Sequence, residues 1–388
     1  PASWPQGMRS LANLIDRHGE WPLTNGNEIT PLFNGDEAYP EMLAAIDAAE
    51  ESVWLQTYIF DREGPGSEFA DALERAFARG VDVRVIIDDA SRFHARSPVE
   101  RLLRRKGIAR TSFTPRRWWL RLLTINLRNH RKILVIDGKV GFTGGMNILP
   151  GHRLNDDPKT PVSDVHFSVT GPVVRQLLAV FVEDWRFSAN EVLPIPNLAE
   201  HAKNTGAWAC GIPDGPDEDY NKLATVFAGA LACSQDSIWI ASPYFLPNET
   251  LNHQLILAAQ RGVEIRILVP ANNNHAIVKW ASESYYATLL AAGCRIIETT
   301  GDFDHSKLMV IDDFFFSIGS ANWDDRSLRL NYEFNVVGFD FDLSAEMIKA
   351  MRDRQDNIGT RITPEAVAEW SYLRQLRNRV VRLATPYL

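Results

Sequence analysis

An internal repeat constrains the fold of this chain more than any other feature of its sequence. Residues 52–60 (SVWLQTYIF) resemble residues 237–245 (SIWIASPYF), and each run is short and mostly apolar. Such runs predict buried strands. The chain is therefore expected to contain two similar halves.

Each predicted strand is followed by an amphipathic stretch and a second apolar run. The stretches 69–80 and 251–262 have helical spacing and end at a glycine, and the runs 81–87 and 263–269 follow them. Strand, helix and strand in this order predict a βαβ unit with a parallel or mixed sheet. We therefore expect an α/β fold with two similar lobes, at 1–200 and 201–388, related by pseudo-twofold symmetry.

Both halves continue to the same motif, which reads HxKxxxxD, then six residues, then GxxN. The motif residues are His130, Lys132, Asp137 and Asn147 in the first half, and His305, Lys307, Asp312 and Asn322 in the second. The apolar tract after each lysine predicts a strand. Residues i and i+2 of a strand share a face, so each histidine and lysine are expected to point into one pocket.

The residue types in this motif match the chemistry of a phosphodiester. Two histidines provide a nucleophile and an acid, while lysine and asparagine side chains donate to the non-bridging oxygens. Each cluster has one histidine beside a cationic lysine, an arrangement that opposes metal binding electrostatically. We therefore predict no metal ion and no cofactor.

The paired motif resembles the signature of the phospholipase D superfamily, and the resemblance covers about residues 33–341. Residues 322–333 (NWDDRSLRLNYE), 242–249 (SPYFLPNE) and 381–388 (VRLATPYL) are similar to bacterial cardiolipin synthases. This resemblance implies transfer of a phosphatidyl group between two phosphatidylglycerol molecules, giving cardiolipin and glycerol through a phosphohistidine intermediate. It also implies that His130 is the nucleophile and His305 the acid and base.

The superfamily also uses an acid downstream of each motif to orient the histidine of that motif. Glu333 matches this position in the second half, and Asp164 is its counterpart in the first half. Asp137 and Asp312 are interpreted as structural residues that stabilise the turn after each strand. The other histidines considered are expected to be packing or surface residues: His94, His152, His166 and His275.

Charge is unevenly distributed along the chain, and this distribution favours a lipid surface as partner. The net charge is −8, yet residues 96–132 contain twelve basic residues and one acid. Within that stretch Trp118 and Trp119 lie among arginines and leucines, a composition typical of an anionic membrane interface. The C-terminal tail shows the same pattern more weakly, and a helix whose apolar face packs on its own domain is the competing interpretation there.

The sequence leaves the acceptor and the mode of membrane attachment open. The related synthases commonly begin with membrane-spanning helices, whereas no apolar run in this sequence approaches the ~20 residues that span a bilayer. The resemblance nevertheless implies a bacterial cell membrane location, at the cytoplasmic side or the interface. A phospholipase D hydrolase and a metal-independent nuclease remain alternatives, although the acidic background opposes a nucleic-acid partner. Oligomeric state is not predicted.

Overall fold

The computed structural model describes residues 4–89, 91, 95, 99–113, 127–194 and 205–383. The strands are β1 Thr24–Phe33, β2 Ser52–Thr57, β3 Asp82–Asp88, β4 Ala109–Phe113, β5 Arg128–Asn129, β6 Ile133–Ile136, β7 Val140–Gly144, β8 Val162–Ser163, β9 Val165–Thr170, β10 Ala207–Asp214, β11 Ser237–Ala241, β12 Glu264–Pro270, β13 Arg295–Thr299, β14 Phe303–Asp304, β15 Leu308–Ile311, β16 Phe315–Gly319, β17 Asn331–Phe339 and β18 Gly359–Ile362.

Helices flank this strand framework. They are α1 Gln6–His18, α2 Asn34–Ala48, α3 Pro65–Ala78, α4 Glu100–Arg105, α5 Val174–Ala189, α6 Lys222–Cys233, α7 Glu249–Gln260, α8 Ala276–Ala292, α9 Asp325–Arg329, α10 Phe341–Ile358, α11 Pro364–Ala368 and α12 Tyr372–Arg382. Two 3-10 helices lie at Pro150–His152 and Leu154–Asp156. Within the described ranges, no helix is both long enough and apolar enough to cross a bilayer.

Most strands belong to one sixteen-stranded sheet whose two halves share the order of seven strands, with β18 as an additional edge strand of the second half. From one edge the order is β4-β3-β2-β6-β7-β9-β1, and from the other it is β18-β13-β12-β11-β15-β16-β17-β10; the sixteenth strand, β5, pairs with β17. Strands β2, β3 and β4 pair in parallel in the first half, and β11, β12 and β13 do so in the second. The remaining neighbours along this order are antiparallel. The predicted α/β class is therefore confirmed. The antiparallel pair β1–β10 joins the halves into one sheet, a junction that the repeat did not predict.

The predicted βαβ units are present in both halves, with small shifts at their ends. Helices α3 and α7 each end two residues before a glycine, and Gly80 and Gly262 have φ of 90° and 96°. This left-handed conformation favours glycine because it has no Cβ. The chain can then turn back at once into the parallel strand β3 or β12.

The hydrophobic core extends across both halves. One cluster contains Val135 and Phe181 from the first half together with Phe316 and Phe334 from the second. Helix α1 packs against α6, so the N-terminal helix contributes to the core around the second half. The division at residue 200 stays a prediction.

Candidate active site

Two very short strands bring the two motifs together. Strand β5 ends just before His130 and pairs in parallel with the start of β17, and strand β14 ends just before His305 and pairs in parallel with β8. The backbone amide of His130 donates to the Tyr332 carbonyl, and that of His305 donates to the Ser163 carbonyl, both at 2.8 Å. Each histidine is thus held against a strand of the opposite half.

His130 forms a hydrogen-bonded pair with Glu333. The Nδ1 atom of His130 lies 3.0 Å from Oε2 of Glu333, and the carboxylate is fully buried. Ser320 Oγ also donates to Oε2 at 2.5 Å, and Asn331 Nδ2 donates to Oε1 at 3.2 Å. Burial alone would raise the pKa of Glu333. The charges of His130 and Lys132 and the hydrogen bonds from His130 and Ser320 together lower it below its usual value. Glu333 is therefore held as a carboxylate.

His305 forms the corresponding pair with Asp164. Its Nδ1 atom lies 2.9 Å from Oδ2 of Asp164, which is also fully buried. Burial raises the pKa of Asp164 against the opposing charge of Lys307. Burial, reinforced by Lys307 and Lys132, holds the pKa of His305 well below its usual range. In both pairs Nδ1 faces the acid, so Nε2 is the ring nitrogen that the acid does not contact.

These contacts correct one prediction from the sequence. We expected each acid to orient the histidine of its own motif, but Glu333 contacts His130 and Asp164 contacts His305. The crossing has a physical cause: Glu333 follows Tyr332, and Asp164 follows Ser163, which are the residues that accept from the opposite histidines. Each histidine and acid pair therefore contains one residue from each half.

The two lysines lie beside their histidines, in the extended segments that precede β6 and β15. Lys132 Nζ donates to the His130 carbonyl at 2.5 Å, and Lys307 Nζ donates to the His305 carbonyl. The predicted strands therefore begin just after each lysine. Burial lowers the pKa of Lys132 to about 7 and that of Lys307 to about 8. A bound anion would favour their charged forms.

The motif asparagines both line the same cavity as the histidines. Asn147 accepts from the Ile59 amide through Oδ1 at 3.2 Å, and Asn322 donates through Nδ2 to Ser327 Oγ at 3.1 Å. The buried Oδ1 atom of Asn322 has no hydrogen-bond partner among the described residues. Their predicted contact with phosphate oxygens stays a prediction.

The motif aspartates contact the far end of each strand, away from the histidines. Asp137 accepts from the consecutive backbone amides of residues 50–52 at 2.8–3.0 Å. Asp312 accepts in the same way from the amides of residues 235–237. Each carboxylate thus holds the turn that leads into the neighbouring strand β2 or β11, and not the turn after its own strand as expected from the sequence. The structural role of the two aspartates stays a prediction.

The cavity has a volume of about 810 Å³ and receives both histidines. Arg128, Arg326 and Tyr58 also line it, and the ring of Tyr58 stands edge-on to His130 at 5.0 Å between centroids. These residues were not predicted from the sequence because they lie outside the repeated motif. Arg128 directly precedes the Asn129–His130 segment and Arg326 belongs to the NWDDRS sequence, so proximity to a motif was the available signal.

The remaining histidines have varied positions. His166 is buried in β9, as expected of a packing residue, whereas His152 and His275 line the cavity. The predictions for His94, Trp118 and Trp119 lie outside the described residues. Among the described residues, no group of three or more histidine, cysteine or acidic side chains is placed to hold a metal ion.

Comparison with known proteins gives a consistent set of relatives. The family model described as cardiolipin synthase, PLD-like domain, matches residues 42–185 and 228–354. Cardiolipin synthase A of Pseudomonas fluorescens (strain SBW25) is 34% identical over 381 residues, covering 98% of this chain and 78% of that protein. Cardiolipin synthase A of Pseudomonas syringae pv. syringae (strain B728a) is 33% identical over the same length.

The solved structures show a shared fold. The crystal structure of a phosphatidylserine synthase from Haemophilus influenzae Rd KW20 superimposes with a TM-score of 0.73, covering 99% of this chain and 100% of that chain. The sequence identity between the two is 14%. At this identity the likeness concerns the fold, and it supports the arrangement of the large sheet.

Proposed function

The chain belongs to the family of cardiolipin synthases with a phospholipase D-like domain, and from this premise we propose that it makes cardiolipin from two phosphatidylglycerol molecules with release of glycerol. One observation carries the proposal. Two histidine–carboxylate pairs, each with a lysine beside it, present their histidines to one cavity. The remaining geometry supports a two-step transfer with a covalent intermediate.

In the first step, Nε2 of His130 attacks phosphorus of the donor lipid. The ionised Glu333 accepts from Nδ1 and so increases electron density on Nε2. The N–P bond forms as the P–O bond to glycerol breaks, and the leaving alkoxide takes a proton from His305. Lys132 and Lys307 balance the negative charge on the phosphate oxygens.

In the second step, the hydroxyl group of a second phosphatidylglycerol replaces glycerol. His305 takes the hydroxyl proton, the oxygen attacks phosphorus, and the P–N bond to His130 breaks. His305 therefore alternates between its protonated and neutral forms. Burial and the lysines favour the neutral form in the empty site, and the negative charge of a bound phosphodiester opposes them.

The test is incubation of the purified protein with phosphatidylglycerol vesicles, followed by mass analysis of the lipids. We expect cardiolipin and glycerol in equal amounts, and equal yields in the presence of excess chelator because the lysines provide the cationic charge. Phosphatidic acid as the main product would instead identify a hydrolase. Absence of any lipid product, with cleavage of nucleic acid, would identify a nuclease.

Helix α12 supports association with a lipid surface because its polar side faces the protein and its apolar side faces solvent. Arg374 donates to the buried Glu283 at 2.9 Å, and Asn378 donates to the same carboxylate at 2.8 Å. The guanidinium of Arg377 lies 4.3 Å from the Trp280 ring centroid. The polar side of the helix thus faces the protein, which corrects the interpretation that its apolar face packs on its own domain.

The opposite side of α12 is apolar and open to solvent. Its side chains are between 44% and 81% exposed and comprise Tyr372, Leu373, Leu376, Val380 and Leu383. Arg379 and Arg382 are exposed beside them. Apolar residues flanked by arginines suit insertion into an anionic lipid surface. The inward side of α12 packs on α8, whose first turn lines the cavity.

Vesicle sedimentation tests this assignment. The double variant Leu373→Ser/Leu376→Ser should bind phosphatidylglycerol vesicles at least about tenfold more weakly, since each buried apolar side chain contributes about 1.5–3 kcal/mol. Leu257→Ser is the matched control because Leu257 is 49% exposed on a different helix. Unchanged vesicle binding of the double variant would contradict the assignment. A sedimentation coefficient that differs between the double variant and the parent protein in lipid-free buffer would instead indicate that the face binds a protein partner.

A further inference from the structure

His152 is a third histidine in the cavity, and neither the repeat nor the motif accounts for it. It ends the 3-10 helix Pro150–His152, and its side chain is 1% exposed. It nevertheless lines the same cavity as His130 and His305. The corresponding position in the second half, five residues after the motif asparagine, is Ser327. His152 therefore makes the two sides of the cavity chemically different.

The contacts of His152 determine which of its nitrogens is available. Nδ1 lies 3.1 Å from the carbonyl oxygen of Val162, so Nδ1 carries the proton and donates to it. The ring makes no second hydrogen bond to any described residue. Nε2 therefore keeps a lone pair. Burial lowers the pKa of His152 to about 4, so the ring is neutral near pH 7 and Nε2 is an acceptor.

The same backbone contacts place His152 on the His305 side of the cavity. Val162 pairs with Phe303 between β8 and β14, and the Phe303 ring lies 5.9 Å from the His305 ring. His305 is the proposed acid and base, so the leaving or attacking alcohol must contact it. An alcohol in that position is on the same side of the cavity as Nε2 of His152.

We propose that Nε2 of His152 accepts a hydrogen bond from a further hydroxyl group of the alcohol whose reacting oxygen lies at His305, so that the site selects polyols such as the glycerol headgroup. This inference rests on the proposed phosphatidyl transfer. Each protein–alcohol hydrogen bond of this kind favours the polyol because a monohydric alcohol leaves the buried acceptor unpaired. His152 is thus a specificity residue and carries no bond-making step.

Competition between two alcohols for the same intermediate tests the proposal. Phosphatidyl-p-nitrophenol in micelles serves as donor, because nitrophenolate leaves without protonation, and glycerol and 1-propanol are supplied together at equal concentration. The ratio of phosphatidylglycerol to phosphatidylpropanol, measured by mass spectrometry, depends only on how the intermediate is partitioned. It is therefore independent of the amount of active enzyme.

We expect the parent protein to favour glycerol and His152→Leu to lower the ratio about tenfold. His152→Gln, which can donate to Val162 and still accept, should keep most of the preference. His166→Leu, at a buried histidine outside the cavity lining, is the matched control and should keep the parental ratio. An unchanged ratio of phosphatidylglycerol to phosphatidylpropanol in His152→Leu would overturn the proposal. A parent protein without preference for glycerol would also overturn it, and this measurement does not depend on whether His152→Leu folds.

These outcomes are distinct from failure of the proposed function. A parent protein that releases nitrophenolate but forms only phosphatidic acid is a hydrolase, and the transfer itself is then refuted together with any inference based on it. A parent protein that forms both phosphatidyl alcohols in equal amounts is a transferase without polyol selection. In that case only the role of His152 is wrong.

Discussion

The two halves of the molecule share the order of seven strands but support their acids differently. Glu333 receives hydrogen bonds from Ser320 and Asn331 in addition to that from His130. Asp164 is one methylene shorter, and Gly145 occupies the position equivalent to Ser320. A Cβ on Gly145 would lie 2.6 Å from Oδ1 of Asp164. In the first half, Gly145 leaves the space that Asp164 occupies. In the second half, Ser320 at the equivalent position donates a hydrogen bond to Glu333.

This difference makes the two histidine–acid pairs electrostatically unequal. Hydrogen bonds to the charged form and nearby cations lower the pKa of Glu333, whereas burial raises that of Asp164. An ionised partner suits a nucleophile that must attack phosphorus. A partner closer to neutrality suits a histidine that alternates between two protonation states. The comparison shows how a repeated framework can support two different chemical roles.

The largest expected effect comes from exchanging the residues that differ between the halves. Gly145→Ser should lower cardiolipin synthesis about 100- to 1,000-fold, because the new Cβ must displace Asp164 from His305. Ser320→Gly removes one charge-assisted hydrogen bond from Glu333 and should lower cardiolipin synthesis about tenfold. Initial rates with phosphatidylglycerol vesicles measure both. Equal losses in the two variants would contradict the proposed difference, provided both unfold cooperatively like the parent protein.

The motif aspartates offer a comparison that concerns stability rather than chemistry. Asp137→Ala should lower the free energy of unfolding by about 2–3 kcal/mol, because three backbone amides lose a buried acceptor. Asp312→Ala should cost about 1–2 kcal/mol, since Asp312 is only half-buried and water can replace it. Urea unfolding followed by tryptophan fluorescence measures both. A greater loss in Asp312→Ala would reverse this ranking of the halves.

The pH dependence should show a smaller difference between the two lysines. A lysine is cationic below its pKa, so kcat/KM should fall up to about tenfold per pH unit as the pH rises above about 7, where Lys132 loses its proton. In Lys132→Arg this decline should begin near pH 8, where Lys307 titrates. A profile that stays level to pH 9 in the parent protein would contradict the requirement for charged lysines.

Much of this architecture could be predicted from local sequence patterns. The repeated apolar runs indicated β2, β3, β11 and β12, and the shared motif indicated the four histidine and lysine positions. The crossing of Asp164 and Glu333 could not be predicted, because it depends on β5 pairing with β17 and β14 with β8, between segments far apart in the chain. The outward apolar face of α12 was also missed, since helical periodicity identifies a face without showing what covers it.

His152 illustrates a further limit of sequence reasoning. As a single histidine outside any repeat it was expected to be a packing or surface residue, and its burial agrees with packing. Its place in the cavity follows from the hydrogen bond to Val162 and the pairing of β8 with β14. A lone side chain acquires its role from such tertiary contacts, which have no counterpart in the spacing of the motif.

The central claim is that His130 is the nucleophile and that its supporting acid, Glu333, comes from the other half. Incubation of His305→Ala with phosphatidyl-p-nitrophenol, followed by peptide mass spectrometry, tests it directly, because this variant can form the intermediate but has no base to resolve it. We predict that label accumulates on His130 and that adding Glu333→Gln slows labelling at least about 100-fold, more than Asp164→Asn does. Label on His305 in a His130→Ala protein, or stronger slowing by Asp164→Asn, would contradict the account.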